Sequence, residues 1–305
     1  MATLARRNVH VVIVSWNPDV DRLALVVDVL LPQVDAVTIV DNGSRNIDKV
    51  TTLAEARDKV GVIALAENRG IAAGLNVGIQ EAFKTSPGWI MTMDQDSLVD
   101  GDAIERISNA FSMLDSVTRE RCGVLALRPH PLSSSIPLTR YAERLLTVRD
   151  RGAFSERVGV ITSGNLVRAT VLEAIAFNES LFIDQVDFDF CHDVRRRGYL
   201  VLEQKESAMA HLLGERVADA KRDHPYENAQ RFYYIVRNST YLVLRGRLPI
   251  RFYFLQAIIY SGSYLSVNGV SSILHCVTVI FRGFFDGLLG RLGRREYAVL
   301  TRGRR

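Results

Sequence analysis

The feature that most constrains the fold is an alternation near the N-terminus, where short β-branched apolar runs are separated by stretches of helical periodicity. His10–Ser15 (HVVIVS) reads as a buried strand stopped by Asn17–Pro18. Asp21–Leu31 has helical spacing, and Ala36–Val40 (AVTIV) is a second strand running into Asp41–Asn42–Gly43–Ser44. Val50–Val60 reads as helical and Val62–Leu65 as a third short strand. Gly70–Lys84 sets Ile71, Leu75, Ile79 and Phe83 at helical spacing, and the strand Trp89–Met93 then ends in Asp94–Gln95–Asp96. Strands and helices alternating at this interval imply βαβ units, hence an α/β fold with a mostly parallel, Rossmann-like central sheet flanked by helices.

In such sheets ligands sit outside the carboxyl ends of the strands. Ser15–Asn17, Asp41–Ser44 and Asp94–Ser97 are polar loops at three of those ends, so topology predicts that they converge. Farther on, the sequence predicts a helix over Asp102–Leu114, a strand near Gly123–Leu127 and irregular chain to about Arg157. Val158–Asn165, a helix over Ala169–Ala176 and the acidic segment Phe182–Tyr199 follow. The expected division is a catalytic domain over 1–225 and a helical region over 226–305.

Asp94–Gln95–Asp96 is a DxD directly after an apolar strand. Two carboxylates one residue apart at a strand end can offer hard oxygen ligands to one Mg²⁺ or Mn²⁺, and such a cation would bridge a diphosphate. A solvated turn is the plainer reading of the same residues. Asp41 could accept from a nucleotide base, with Gly43 permitting the turn. Glu67–Asn68–Arg69–Gly70 opens a helix whose N-terminus can face phosphate, and Gly74 and Gly78 read as close-packing positions. In FIDQVDFDFCHDVRRRGY, Asp184, Asp187, Asp189 and Asp193 lie among aromatics, where desolvation favours a general base. The same residues fit a capped helix start, with Arg195–Arg197 closing the helix before Gly198. His211 is a lone histidine after a strand and more often structural.

Hydrophobic content of 48% suits a chain with a real core. Cys122, Cys191 and Cys276 lack CxxC spacing, which predicts free thiols in a reducing compartment and argues against zinc. The apolar run after Arg6 and Arg7 is too short for a signal peptide, so the expected location is cytoplasmic. Residues 245–305 hold ten arginines against Asp286 and Glu296, a balance of +8, leaving 4 − 8 = −4 for the rest. Basic residues interleaved with aromatics are missing upstream, which argues against nucleic-acid binding. Residues 252–281 contain no Asp, Glu, Lys or Arg but are interrupted by Ser261–Ser263, Ser266 and Asn268–Gly269. Two helices broken near Asn268–Gly269 therefore fit better than one bilayer span. With arginines on both sides they would lie in the plane of an anionic membrane, or else pack against the catalytic domain or a second subunit.

Taken in order, VVIVSWNPD, IVDNGS, ENRGIAAGLNVGI, MDQDS, FIDQVDFDF…RRRGY, HLLGE and RFYYIVRN resemble the inverting glycosyltransferase family 2, with its GT-A fold, and within it the bacterial rhamnosyltransferases. The resemblance covers roughly residues 8–240. It implies that Ser15, Asn17 and Asp41 hold the nucleotide, and that Asn68, Arg69 and Gly74 belong to the segment closing over it. It implies that Asp94 and Asp96 bind metal and diphosphate, and that His211 completes the metal shell. Asp187 would be the catalytic base and Asp189 an acceptor-binding residue. The implied reaction transfers a sugar, L-rhamnose from dTDP-L-rhamnose first among the donors, to a hydroxyl of a lipid-linked surface glycan at the inner face of the cell membrane. UDP-hexoses stay open as donors. A non-catalytic nucleotide-sugar-binding scaffold is the alternative, while a nucleotidyltransferase would want a glycine- and lysine-rich loop where VSWNPD stands.

Overall fold

A computed structural model describes residues 8–130, 137–210 and 228–295. The chain packs into two compact units, one from Met1–Pro131, Leu146–Glu179 and Val186–Leu212, the other from Leu132–Leu145, Ser180–Gln185 and Leu213–Arg305.

The first unit is built on one sheet. Its N-terminal half runs β1 (Val9–Ser15), α1 (Val20–Leu30), β2 (Ala36–Asp41), α2 (Ile47–Glu55), β3 (Val60–Ala64), α3 (Ile71–Ala82) and β4 (Trp89–Asp94). These strands lie in the order β3-β2-β1-β4, all parallel, as the alternation predicts. Val9, Val11, Val12 and Ile13 of β1 have no exposed surface, which is why this strand reads as an unbroken apolar run rather than an alternating one. Helix α3 lies close on the sheet because two of its residues lack side chains. A Cβ at Gly74 would sit 2.8 Å from Val14 Cγ1, and one at Gly78 would collide with Val12 and lie 2.9 Å from Val40 Cγ2.

Beyond β4 the sheet is mixed. β5 (Leu98–Val99), α4 (Ala103–Ser112), α5 (Ser116–Arg121) and β6 (Cys122–Pro129) come first. After α6 (Pro137–Leu146) follow β7 (Thr147–Arg151), β8 (Phe154–Arg157), β9 (Asn165–Arg168), α7 (Ala169–Ala174), α8 (Val186–Arg196) and β10 (Leu200–Ala210). Strand β9 is antiparallel to both β4 and β6, and β10 is parallel to β6. The stretch expected to be irregular up to Arg157 instead contains the β7–β8 hairpin, turned at Gly152 with φ +69. Its first strand, TVRDR, is charged and almost wholly exposed, so it carries no apolar periodicity to betray it. Cys122 and Cys191 are free and enclosed, and burial pushes both thiols up to about 12.

The second unit is helical. It contains α9 (Ala229–Val243), α10 (Ile250–Asn268) and α11 (Ile273–Leu288), with the break between the last two at Gly269, φ +79. Helix α11 turns Cys276, Val279, Gly283 and Gly287 inward. A Cβ at Gly283 would come within 2.9 Å of Val236 Cβ on α9, so the two backbones approach closely. Its outer face carries Ile273, Leu274, Val277, Phe281, Phe284, Phe285 and Leu288, all exposed. The segment Val270–Leu288 is long and apolar enough to cross a membrane, with 22% of it buried.

Gly78→Ala is expected to destabilise the protein by about 1–3 kcal/mol through overpacking against Val12 and Val40, measured by chemical denaturation. Gly61→Ala, where an added Cβ meets nothing within 4 Å, is the matched control and should cost far less.

Candidate functional site

Parallel register brings the polar strand ends to within one residue of the same depth. β1 is paired on both sides, with Ser15 opposite Asp41 on β2 and Val14 opposite Asp94 on β4. Ser15, Asp41 and Asp94 thus lie on one edge of three adjacent strands. The Ser15 hydroxyl donates to Asp41 Oδ2 at 3.4 Å, and the Ser44 N–H donates to Asp41 Oδ1 at 2.8 Å. Asp41 is 1% exposed, so these contacts partly replace its lost hydration.

The loop after β1 is held from both sides. The Trp16 N–H donates to Gln95 Oε1 at 2.7 Å, tying it to the middle of the DxD. The Asn17 N–H donates to Ser44 Oγ at 2.7 Å, and Asn17 Oδ1 accepts from the Arg45 N–H at 2.9 Å. Asn17 has φ +46, a conformation that asparagine tolerates better than most residues. The result is a tryptophan left 53% exposed in the loop that follows Ser15. Sequence reasoning passed over Trp16, because a lone tryptophan in a loop carries no pattern.

Asp94 and Asp96 are half-buried. The Asp94 N–H donates to the buried Ser163 hydroxyl at 3.1 Å, and the Arg22 guanidinium donates to the Asp96 carbonyl at 2.8 and 3.0 Å. Both contacts fix the main chain of the turn. Two acidic side chains at a strand end are a donor set of hard oxygens that suits Mg²⁺ or Mn²⁺. Among the described residues no group of three or more His, Cys, Asp or Glu side chains is assembled to hold a metal. The Asp94–Asp96 pair would fit a divalent cation of the kind that accompanies a nucleotide diphosphate. His211, expected as a further ligand, lies outside the described residues.

Asn42 joins this edge to the next loop. Its Nδ2 donates to Asn68 Oδ1 and Gly70 O at 3.2 and 3.0 Å, and its Oδ1 accepts from the Arg69 N–H at 2.9 Å. Asn68 Oδ1 also accepts from the Gly70 N–H at 2.9 Å, closing an Asx turn just ahead of α3. Gly43, at φ +78, lets the two loops touch, since a Cβ there would lie 2.6 Å from the Glu67 carbonyl carbon. Asn42 is 3% exposed, and its role was illegible in the sequence because DNGS reads equally well as a plain turn.

The acidic segment forms α8, with Asp187 and Asp189 in its first turn and Arg195 and Arg196 in its last. Both complement the helix dipole. The two carboxylates have different surroundings. Asp187 is half-buried, and its Oδ1 accepts from the Phe188 N–H at 2.9 Å. Asp189 is 2% exposed, and its Oδ2 accepts from Asn178 Nδ2 at 2.9 Å. Phe190 stacks on Phe177 with ring centroids 4.2 Å apart, and Asn76 of α3 bonds the Phe177 N–H and carbonyl, both at 2.9 Å. Glu179 accepts from Asn76 Nδ2 at 3.0 Å and pairs with Arg69 at 3.5 Å. Of the remaining acidic residues named from sequence, Asp184 pairs with Arg231 of α9 at 2.8 Å, both in the second unit.

The chain is similar to known proteins both in sequence and in fold. Residues 10–119 match the model of the family described as glycosyl transferase family 2. The chain is 28% identical over 250 residues to the dTDP-rhamnosyl transferase RfbF of Shigella flexneri, covering 80% of this chain and 82% of that one. Among solved structures it is similar to S. aureus TarS, with a TM-score of 0.51 at 13% identity over 93% of this chain and 82% of the other. It is likewise similar to GalNAc-T7, crystallised with UDP, GalNAc and Mn²⁺, with a TM-score of 0.55 at 13% identity over 88% of this chain and 57% of the other. At such identities the structural likeness speaks to the fold, which is GT-A.

Asn42→Ala should cost about 1–3 kcal/mol, because it strands buried partners on both loops. Urea denaturation measures the loss, and limited proteolysis should show cleavage near residues 67–70 rising with it.

Proposed function

We propose that this chain, which carries a family 2 glycosyltransferase domain on a GT-A fold, is an inverting, metal-dependent rhamnosyltransferase using dTDP-L-rhamnose. The observation that carries the reading is the placement of Ser15, Asp41 and Asp94, within one residue of the same depth, at the ends of three adjacent parallel strands, with Asp96 two residues on. The likeness to RfbF supports the choice of donor.

In this reading Ser15, Asn17 and Asp41 receive the nucleoside, and the exposed indole of Trp16 offers it a stacking face. Asn68 and Arg69 close over the nucleotide ahead of α3, and Gly74 seats α3 on the sheet so that its N-terminus faces the phosphates. Asp94 and Asp96 hold a divalent cation, with His211 as a further ligand. When bound, Mg²⁺ or Mn²⁺ supplies charge neutralisation for the departing nucleotide. Asp187, more accessible than Asp189, accepts the proton of the acceptor hydroxyl. That oxygen then forms its bond to the anomeric carbon as the carbon–oxygen bond to the diphosphate breaks on the opposite face. One in-line displacement inverts the anomeric centre and requires no covalent enzyme intermediate. Asp189 lies on the acceptor side, its position set by Asn178.

The acceptor is proposed to be a lipid-linked glycan reached from the cytoplasmic face of the membrane. The outward face of α11 supports this, with Leu274 79% and Phe281 59% exposed, as do Phe254 and Ile258 of α10 at 58% and 62%. An apolar face of this kind on a water-soluble surface calls for a partner. Arg251 and Arg282, both exposed, suit anionic headgroups.

Asp187→Asn is expected to lower kcat by about two to four orders of magnitude while donor binding persists. Chelation should abolish turnover of dTDP-L-rhamnose, and Mn²⁺ or Mg²⁺ should restore it. Failure to turn over any dTDP- or UDP-sugar with either metal would sink the enzyme reading. In co-sedimentation, the protein should bind vesicles containing phosphatidylglycerol, and Phe281→Glu with Phe285→Glu should release it. If these changes instead dissociate a dimer in light scattering, the face belongs to a second subunit.

A further inference from the structure

The pair between Arg69 and Glu179 stands apart from the other contacts of the nucleotide edge. The main chain at Arg69 is fixed, its N–H donated to the buried Asn42. Its side chain is not, being 49% exposed and holding Glu179 through one contact at 3.5 Å. Glu179 is 47% exposed but is itself tethered, since Oε1 accepts from Asn76 Nδ2 at 3.0 Å while Oε2 faces Arg69. Asn76 is in turn held by both main-chain groups of Phe177. A carboxylate is thus built into position by α3, and a loosely held guanidinium rests against it.

A single, long, exposed ion pair contributes little, whereas guanidinium and phosphate oxygens can form parallel, charge-assisted hydrogen bonds. An incoming diphosphate would therefore outcompete Glu179 for Arg69. We propose that Glu179 is a stand-in for the donor's diphosphate: it keeps the Arg69 guanidinium extended beside the nucleotide edge and yields it when the nucleotide diphosphate arrives. Glu179 stays on Asn76 throughout, so the exchange moves one side chain and no main chain. The arrangement makes Glu179 a competitor that lowers affinity for the donor and for the nucleotide product alike. This inference rests on the donor reading above.

The test is isothermal titration of dTDP and of UDP, each with Mn²⁺, into wild type, Glu179→Gln, Arg69→Gln and the double variant. Glutamine retains an oxygen for Asn76 Nδ2, and thermal melting checks that each variant folds. Glu179→Gln should bind nucleotide about two- to five-fold more tightly than wild type, the range set by an exposed pair. Arg69→Gln should bind more weakly, and adding Glu179→Gln to it should change nothing further. An equal gain in both backgrounds would mean that Glu179 merely repels the anion, and the stand-in role would be overturned. No gain in the single variant overturns it as well, while wild-type binding leaves the donor reading intact. If wild type binds neither nucleotide with metal, the donor reading falls and takes this inference with it.

Discussion

The structure depends on the pairing of β1 between β2 and β4. Parallel strands bond at even spacing, so one register places residues of equal depth side by side, and here it sets Ser15 opposite Asp41 and Asp94 opposite Val14, one residue short of Ser15. A shift of a single residue would turn each side chain to the opposite face. That register is enforced by burial, because Val11, Ile13, Val37, Ile39 and Met91 all sit in the same core with 1% exposure or less. Polar chemistry at the sheet edge is therefore positioned by apolar packing behind it.

From that edge outward, control passes from packing to hydrogen bonds. Gln95 fixes the loop after β1, Arg22 the DxD turn, and Asn42 the loop ahead of α3. Each acts on a main-chain group, so the loops are held without using the side chains of Trp16, Asp96 and Arg69. The fold holds these loops in place before any ligand arrives, which reduces the ordering needed on binding. Asn76 extends the same network, joining α3 to the chain between α7 and α8.

Much of the N-terminal half was legible in the sequence. Buried parallel strands leave continuous apolar runs, and polar residues after them mark the strand ends, so β1 to β4 and the gathering of their loops at one sheet edge followed from pattern. The break at Gly269 was equally visible in the run of serines and Asn268–Gly269. The β7–β8 hairpin was not, because its charged, exposed first strand has no periodicity. The antiparallel insertion of β9 between β4 and β6 was also hidden, since a four-residue buried strand looks alike in either direction.

The sequence by itself determined which residue types stand at the strand ends, because burial and turn chemistry act over a few residues and leave local marks. Tertiary structure alone decided how those residues are placed and paired. Asp187 and Asp189 look equivalent in FIDQVDFDF, and only folding buries Asp189 against Asn178 while leaving Asp187 partly open. Asn42, Trp16 and Glu179 find hydrogen-bond partners between 26 and 110 residues away. Contacts at that distance leave no trace in local periodicity, because they are set by where the sheet and helices bring the chain together.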